Sequence, residues 1–165
     1  KGLENQGYLI GLIISNVAAL LFLICVVKWS RIARVLFFLL FAWACWMNWS
    51  ISQNNPAACQ EYAELAFFDF YGAFITGWFS RNTVWVVGFI ATCQGLIAIS
   101  MFGKGWMFKL GRIGGIIFLL SIAPLGVGSG FPCTISFAAA LFILIRKGQD
   151  YLWRPAVLSA NRKLI

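Results

Sequence analysis

The sequence contains no histidine and little charge, with 13 Lys and Arg and 5 Asp and Glu among 165 residues. Without histidine, the chain lacks the usual axial ligand of haem and the commonest ligand of zinc and copper. Its five cysteines include no Cys-x-x-Cys pair, which excludes the usual spacings of iron–sulfur and thioredoxin-like sites. We therefore expect no haem or metal centre.

Apolar side chains are abundant: they make up 61% of the residues, and the mean hydropathy is +0.85. A water-soluble fold of this size could not bury so much apolar surface, so lipid is the expected solvent. In lipid the chain itself must satisfy every backbone polar group, which leaves helices or closed barrels. Long apolar runs without alternation favour helices. The sequence therefore predicts an all-α, polytopic membrane bundle.

Three apolar runs, at residues 8–27, 35–51 and 83–102, are predicted to span the membrane as single helices. The first is too long for the apolar core of a signal peptide, so we expect it to be retained. Residues 113–145 are broken by Pro124, by three glycines and by Pro132. They predict a helical hairpin with arms of about 24 Å, whose turn lies below the outer surface or where the bilayer thins.

Residues 57–80 are apolar but carry three acids, Glu61, Glu64 and Asp69. A charge at the bilayer centre costs about 2.5–3.5 kcal/mol on insertion scales, so a sixth span is not expected. Asn55 and Pro56 form a good helix start. The segment is predicted to be a helix that lies along the outer, extracytoplasmic face or dips shallowly into the membrane.

The positive charges are predicted to lie on one side of the membrane. The basic residues between and after the spans are Lys28, Arg31, Arg34, Lys104, Lys109, Arg112, Arg146, Lys147, Arg154, Arg162 and Lys163. Because cytoplasmic loops concentrate Lys and Arg, the amino terminus is expected outside and the carboxyl terminus inside. This pattern orients a membrane protein and does not indicate nucleic acid. A bacterial cytoplasmic (plasma) membrane is the expected location.

Tryptophans are expected to mark the two interfaces. By this topology Trp29, Trp106 and Trp153 lie at the cytoplasmic level, and Trp46, Trp49, Trp78 and Trp85 lie at the outer level.

Several segments carry a family resemblance. They are the basic start at Arg31 and Arg34, FFDFYGAFITGWFS at residues 67–80, CQGLIAIS at residues 93–100 and RIGGIIFLLSIAPLGVGSGFPC at residues 112–133. Over about residues 31–148 the chain resembles the DoxX-like membrane protein family. Where relatives often carry an acid in the third span, this chain has Gln94.

The resemblance implies a four-helix core with cytoplasmic ends. Residues 1–30 then form an added transmembrane helix, and residues 149–165 form a basic cytoplasmic tail. Some family members are associated with redox chemistry, including small subunits of a thiosulfate:quinone oxidoreductase, while many have no assigned activity.

The predicted site is an outer vestibule. Its candidate residues are Glu61, Glu64, Asp69, Arg81, the glycine-rich turn at residues 125–133 and, deeper in the membrane, Gln94. Broken apolar helices often face a cavity, because their freed backbone groups need polar partners. Asp69 is expected to pair with Arg81, and a ligand or proton role is the alternative. Asn16 and Gln94 are expected to form hydrogen bonds between helices.

Two further features have open interpretations. Cys59 and Cys133 are both predicted on the outer side, where they form either a disulfide or two unrelated thiols. Gly11, Ser15 and Ala19 recur every four residues, and such a small-residue stripe serves either partner docking or internal packing.

No catalytic set is recognisable, so we expect a non-catalytic subunit or accessory protein of a larger membrane assembly, redox or energy-converting. Its expected partners are lipid and other membrane subunits. One alternative is a quinone- or thiol-linked redox protein, with quinone or bound lipid at the vestibule. Another is a small transporter that uses Pro124 and the glycines as a flexible element.

Overall fold

The computed structural model describes residues 3–147, and this part of the chain is built of helices packed against one another. The elements are α1 (Gln6–Lys28), α2 (Ser30–Asn54), a 3₁₀ helix (Pro56–Glu61), α3 (Tyr62–Leu65), α4 (Asp69–Phe74), a π-helical turn (Ile75–Phe79), α5 (Ser80–Ser100), α6 (Gly105–Ile122), a second 3₁₀ helix (Ala123–Ser129) and α7 (Cys133–Arg146). The predicted tail at residues 149–165 lies outside the described residues, as do Trp153 and the basic residues after it. The described chain is an all-α bundle, as the composition predicts.

Four helical segments are long and apolar enough to cross a membrane. They are Gln6–Lys28, Ser30–Asn54, Asp69–Ser100 and Gly105–Ser129. The first three contain or overlap the runs predicted at residues 8–27, 35–51 and 83–102. These three predictions are confirmed, and the lengths and compositions are those of a multi-span membrane protein.

The helical hairpin predicted at residues 113–145 is also confirmed. Its first arm, α6, begins eight residues earlier than predicted, at Gly105. The turn begins with the second 3₁₀ helix, and Gly126 within it and Gly130 directly after it adopt the positive φ values of 67° and 73°. The second arm, α7, has 14 residues and a length of about 21 Å, which is shorter than a typical hydrocarbon core of about 30 Å.

Residues 57–80 do not form the single surface helix that was predicted. The 3₁₀ helix does begin at Pro56, but α3 ends before Ala66, whose ψ of 142° is not helical. The next N–H group, that of Phe67, donates to the carbonyl of Pro124 at 2.9 Å instead of continuing the helix. A new helix begins at Asp69 and runs through a kink at Gly77 into α5.

Aromatic rings join the first helix to the rest of the bundle. The Phe22 ring of α1 makes edge contacts with Phe37 of α2 at 5.0 Å and with Phe137 of α7 at 4.9 Å. Trp29 is the single residue between α1 and α2. The first helix is therefore packed into the same core as the others.

Hydrogen bonds bring the basic connections together at one end of the bundle, here called the basic end. They join Arg34 to the carbonyls of Met101 and Gly103, Arg112 to that of Leu144, and Lys147 to that of Val27. The ends of α1, α5 and α7 and the starts of α2 and α6 therefore lie side by side. This agrees with the sidedness that the charge pattern predicts.

Candidate functional site

The glycine-rich turn, predicted to face a vestibule, is closed by residues 62–67. A side chain at Gly126 would lie 2.7 Å from the backbone oxygen of Leu65, and one at Gly128 would lie 2.5 Å from the Tyr62 ring. The Phe67 ring also makes an edge contact with Phe131 at 5.1 Å. Glycine permits this approach because it has no Cβ atom. The turn therefore packs against its neighbours, and the predicted opening at this place is not formed.

The predicted ion pair between Asp69 and Arg81 is also not formed. Asp69 begins α4, whereas Arg81 lies in α5, beyond the π-helical turn and its kink at Gly77. Both side chains are exposed, and neither forms an ion pair with any residue in the range 3–147. Glu64 is exposed on α3, while Glu61 accepts a hydrogen bond from the Tyr8 hydroxyl at 3.4 Å. The predicted charges are thus spread out.

Arg81 instead borders a cavity of about 340 Å³ beside the start of α5. Other polar lining residues are Gln60, Ser80, Asn82 and Thr83, and the exposed Trp85 forms part of the wall. A guanidinium group, two amides and an indole ring suit a ligand that has acceptor oxygens on a flat body. Of the predicted vestibule residues, this cavity contains only Arg81.

Gln94 lies within the bundle, away from this cavity. Its Oε1 atom accepts a hydrogen bond from Nδ2 of Asn48 on α2 at 2.8 Å, and its side chain is buried. Asn16 on α1 donates to the carbonyl of Leu12 at 2.8 Å and to that of Gly130 at 3.5 Å. The predicted hydrogen bond between helices is confirmed for Gln94, whereas Asn16 bonds within α1 and to the turn residue Gly130.

Cys59 and Cys133 are both buried, and both are free thiols. The sulfur of Cys133 lies beside α1, where it and the Ser15 hydroxyl approach Gly130 from the same side. Cys59 lies in the first 3₁₀ helix, close to Tyr62. Burial raises the pKa of the Tyr62 hydroxyl, and the nearby Cys59 raises it further. Of the two interpretations left open by the sequence, the structure has the two separate thiols and no disulfide between them.

Burial raises the pKa of the Cys59 thiol, so little thiolate is present near neutral pH. We expect Cys59 to react with a maleimide at pH 7 at least tenfold more slowly than an exposed cysteine placed nearby by Ala57→Cys. Reaction should accelerate as pH rises, and all five cysteines should react after unfolding without reductant. Intact mass analysis measures both results, and only three reactive thiols after unfolding would contradict the free-thiol arrangement.

The small-residue stripe on α1 is divided between two environments. Ala19 is buried, and Ser15 lies against the turn at Gly130, whereas a side chain at Gly11 would meet no atom within 4 Å. The stripe is therefore uncovered at Gly11, whereas Ser15 and Ala19 pack against other parts of this chain.

An exposed aromatic face lies on α2, formed by Leu39, Trp43 and Trp46 at helical spacing. The side chains of Trp43 and Trp46 are 59% and 65% exposed. Trp46 precedes the end of α2 by eight residues, or about 12 Å, and its place at the outer interface stays a prediction. Neither indole N–H donates a hydrogen bond to any described residue.

Two arginines that the sequence places in connections are buried inside the basic end. Arg34 is 5% exposed and Arg112 is 0% exposed. Their guanidinium carbons lie 3.7 Å and 3.6 Å from the centre of the same ring, that of Phe108. Two guanidinium groups cannot share one face of a ring at this distance. They therefore lie on opposite faces, held by cation–π attraction.

The burial of Arg112 could have been predicted from the spacing of its neighbours on α6, although its charge suggested a loop position. Arg112 follows Phe108 by four residues and precedes Gly115 by three, so the three share one face of α6. That face is buried along its length. A prediction that the helix begins at Gly105 would have placed Arg112 on the buried face of α6.

Among residues 3–147, no three His, Cys, Asp or Glu side chains come together as a set of metal ligands. No protein-family model, curated protein or solved structure matches the chain. The resemblance to the DoxX-like family therefore stays a prediction. The two places with the chemistry of a site are the cavity at Arg81 and the buried arginines around Phe108.

Proposed function

We propose that the chain is a non-catalytic subunit or accessory protein of a larger membrane assembly. Its partner is another membrane protein, which binds the aromatic face of α2. The single observation that carries the proposal is the exposure of Trp43 and Trp46 at mid-length of a membrane-spanning helix.

Trp43 lies near the middle of its span, where an exposed indole ring is unfavourable in lipid. Trp43 is the central residue of the apolar run at residues 35–51, and Trp46 lies about 4.5 Å further along the axis. Indole rings favour the membrane interface, because their N–H group needs a polar partner that lipid tails do not supply. A partner helix with hydroxyl or carbonyl acceptors would supply one and would also cover the rings.

The orientation and family are part of the same proposal. Clustering of the basic connections at one end supports a cytoplasmic location for that end, with the amino terminus outside, in a bacterial cytoplasmic membrane. A DoxX-like core with an added first helix agrees with the order of the helices. Membership of a redox or energy-converting assembly rests on the resemblance alone.

The test is purification of the tagged chain from its native membrane in a mild detergent, followed by mass analysis of the co-eluting chains. We expect stoichiometric partner chains with the wild type and at least a tenfold loss with the double variant Trp43→Leu, Trp46→Leu. The melting temperature of the isolated chain should not change, because both side chains are exposed.

A matched control replaces two exposed tryptophans at the basic end, Trp29 and Trp106, with leucine. This double variant should keep its partners. Elution of the wild type as a solitary monomer, or equal retention of partners by both double variants, would contradict the proposal.

The quinone-linked alternative has one observation in its favour, the cavity at Arg81. A quinone has two carbonyl acceptors on a flat ring, which suits the donors of Arg81 and Gln60 beside the indole of Trp85. The quinone site of this alternative would then lie at the start of α5 and not at the glycine-rich turn.

A further inference from the structure

Arg112 has an incomplete set of hydrogen bonds. Its Nε atom donates to the carbonyl of Phe108 at 3.1 Å, and its Nη1 atom donates to the carbonyl of Leu144. Its Nη2 atom is buried and has no hydrogen-bond partner among the described residues. A guanidinium has five N–H donors, and a buried charged donor without a partner is costly. An acceptor at Nη2 would therefore stabilise the basic end.

The described chain supplies no carboxylate for this position. Within residues 3–147 the acids are Glu4, Glu61, Glu64 and Asp69. All four lie toward the end opposite to Arg112: Glu4 precedes α1, and the others lie in the first 3₁₀ helix, in α3 and at the start of α4. The residues around the basic end are instead cations, including Lys28, Lys109 and Arg146. The local potential therefore favours an anion from outside this part of the chain.

Position and geometry favour a phosphate group. The α6 helix begins at the basic end, and Arg112 follows Gly105 by seven residues, or about 10 Å. Helical side chains lean toward the amino end of their helix, so the guanidinium points toward that end, near the level of lipid headgroups. The planar fork of arginine matches phosphate oxygens, and neighbouring cations attract anionic lipid.

We propose that the basic end binds a phosphate-bearing anion, with Nη2 of Arg112 as a direct donor. The anion is either the phosphodiester of an anionic lipid or a soluble phosphate, since both present the same oxygens. This inference does not depend on the aromatic face or on the proposed partner.

The test measures the melting temperature of the purified full chain in nanodiscs of phosphatidylcholine, with and without phosphatidylglycerol, and with inorganic phosphate in the buffer. For a ligand at about 100 times its Kd, the wild type should gain about 5 °C or more. A gain with phosphatidylglycerol alone assigns the lipid source, and an equal gain with inorganic phosphate assigns the soluble one. No gain with either anion would overturn the proposal.

Arg112→Gln should lose this gain, and Arg146→Gln, which removes an exposed arginine at the same end, should keep most of it. A full gain in Arg112→Gln would overturn the proposal. If Arg112→Gln does not fold, native mass spectrometry of the wild type decides. One phosphatidylglycerol or phosphate should survive activation that strips phosphatidylcholine, and loss of all three together would overturn it.

Asp150 tests whether the chain supplies its own anion. It is the one acid after Arg112 in the sequence and lies outside the described residues. Asp150→Asn should retain the anion-dependent gain. If it instead destabilises the chain as much as Arg112→Gln, and neither anion stabilises either variant, the acceptor is the chain's own carboxylate and the proposal is overturned.

Discussion

Gly126→Ala is expected to lower the stability of the chain by about 2–6 kcal/mol, seen as a large fall in melting temperature in detergent. The backbone at Gly126 has a φ of 67° and a ψ of −135°, a conformation that costs other residues about 1–3 kcal/mol. The new Cβ would also lie 2.7 Å from the backbone oxygen of Leu65, and such overpacking costs about 1–3 kcal/mol.

The matched control is Gly11→Ala, where the new Cβ meets no atom within 4 Å and the backbone is helical. Alanine favours a helix over glycine by about 1 kcal/mol, so this variant should be as stable as the wild type or slightly more stable. Equal melting temperatures for Gly126→Ala and the wild type would show that residues 62–67 do not close the turn.

Gly111→Ala is expected to loosen the contact between α5 and α6 at the basic end. Its Cβ would lie 1.7 Å from Oγ and 2.4 Å from Cβ of Ser100, so the two helices must move apart. Overpacking of this kind costs about 1–3 kcal/mol, which thermal unfolding in detergent would detect. The same movement should weaken the bonds that Arg34 makes to the carbonyls of Met101 and Gly103.

Two comparisons isolate the steric cause. Gly114→Ala lies on the same helix, but its Cβ would meet Ile97 at an ordinary 3.7 Å, so stability should not fall. Adding Ser100→Gly to Gly111→Ala removes the clashing atoms and should recover most of the loss. A double variant no more stable than Gly111→Ala would contradict the proposed contact.

The spans and the hairpin could be predicted from the sequence because single runs determine them. An apolar run of about 20 residues specifies a membrane-spanning helix without reference to its neighbours. Pro124 and the glycines that follow it likewise interrupt a helix by local geometry alone. The sidedness of the basic connections follows from a count of charges in loops.

The arrangement of residues 57–80 could not be predicted in this way, because tertiary contacts decide it. The chain leaves α3 so that the Phe67 N–H can reach the carbonyl of Pro124, 57 residues later. The restart at Asp69 then places that acid at the start of α4, with the kink at Gly77 between it and Arg81. Choosing the nearest basic residue in the sequence therefore predicted the wrong partner for Asp69.

The buried arginines show a second limit. Counting Arg34 and Arg112 as loop charges gives the correct end of the bundle but the wrong environment. Their long side chains extend from the second turn of α2 and the third turn of α6 to the backbone carbonyls of Met101 and Leu144. In the sequence, only the four-residue spacing between Phe108 and Arg112 distinguishes this buried arginine from an ordinary solvated one.

The single-residue link between α1 and α2 has a consequence for biogenesis. With only Trp29 between them, the two helices cannot enter a bilayer far apart in space or in register. They are committed to cross as an antiparallel pair, with the Phe22 and Phe37 rings already in contact. Phe137 of α7, which is synthesised later than both helices, then completes the aromatic cluster by its edge contact with Phe22.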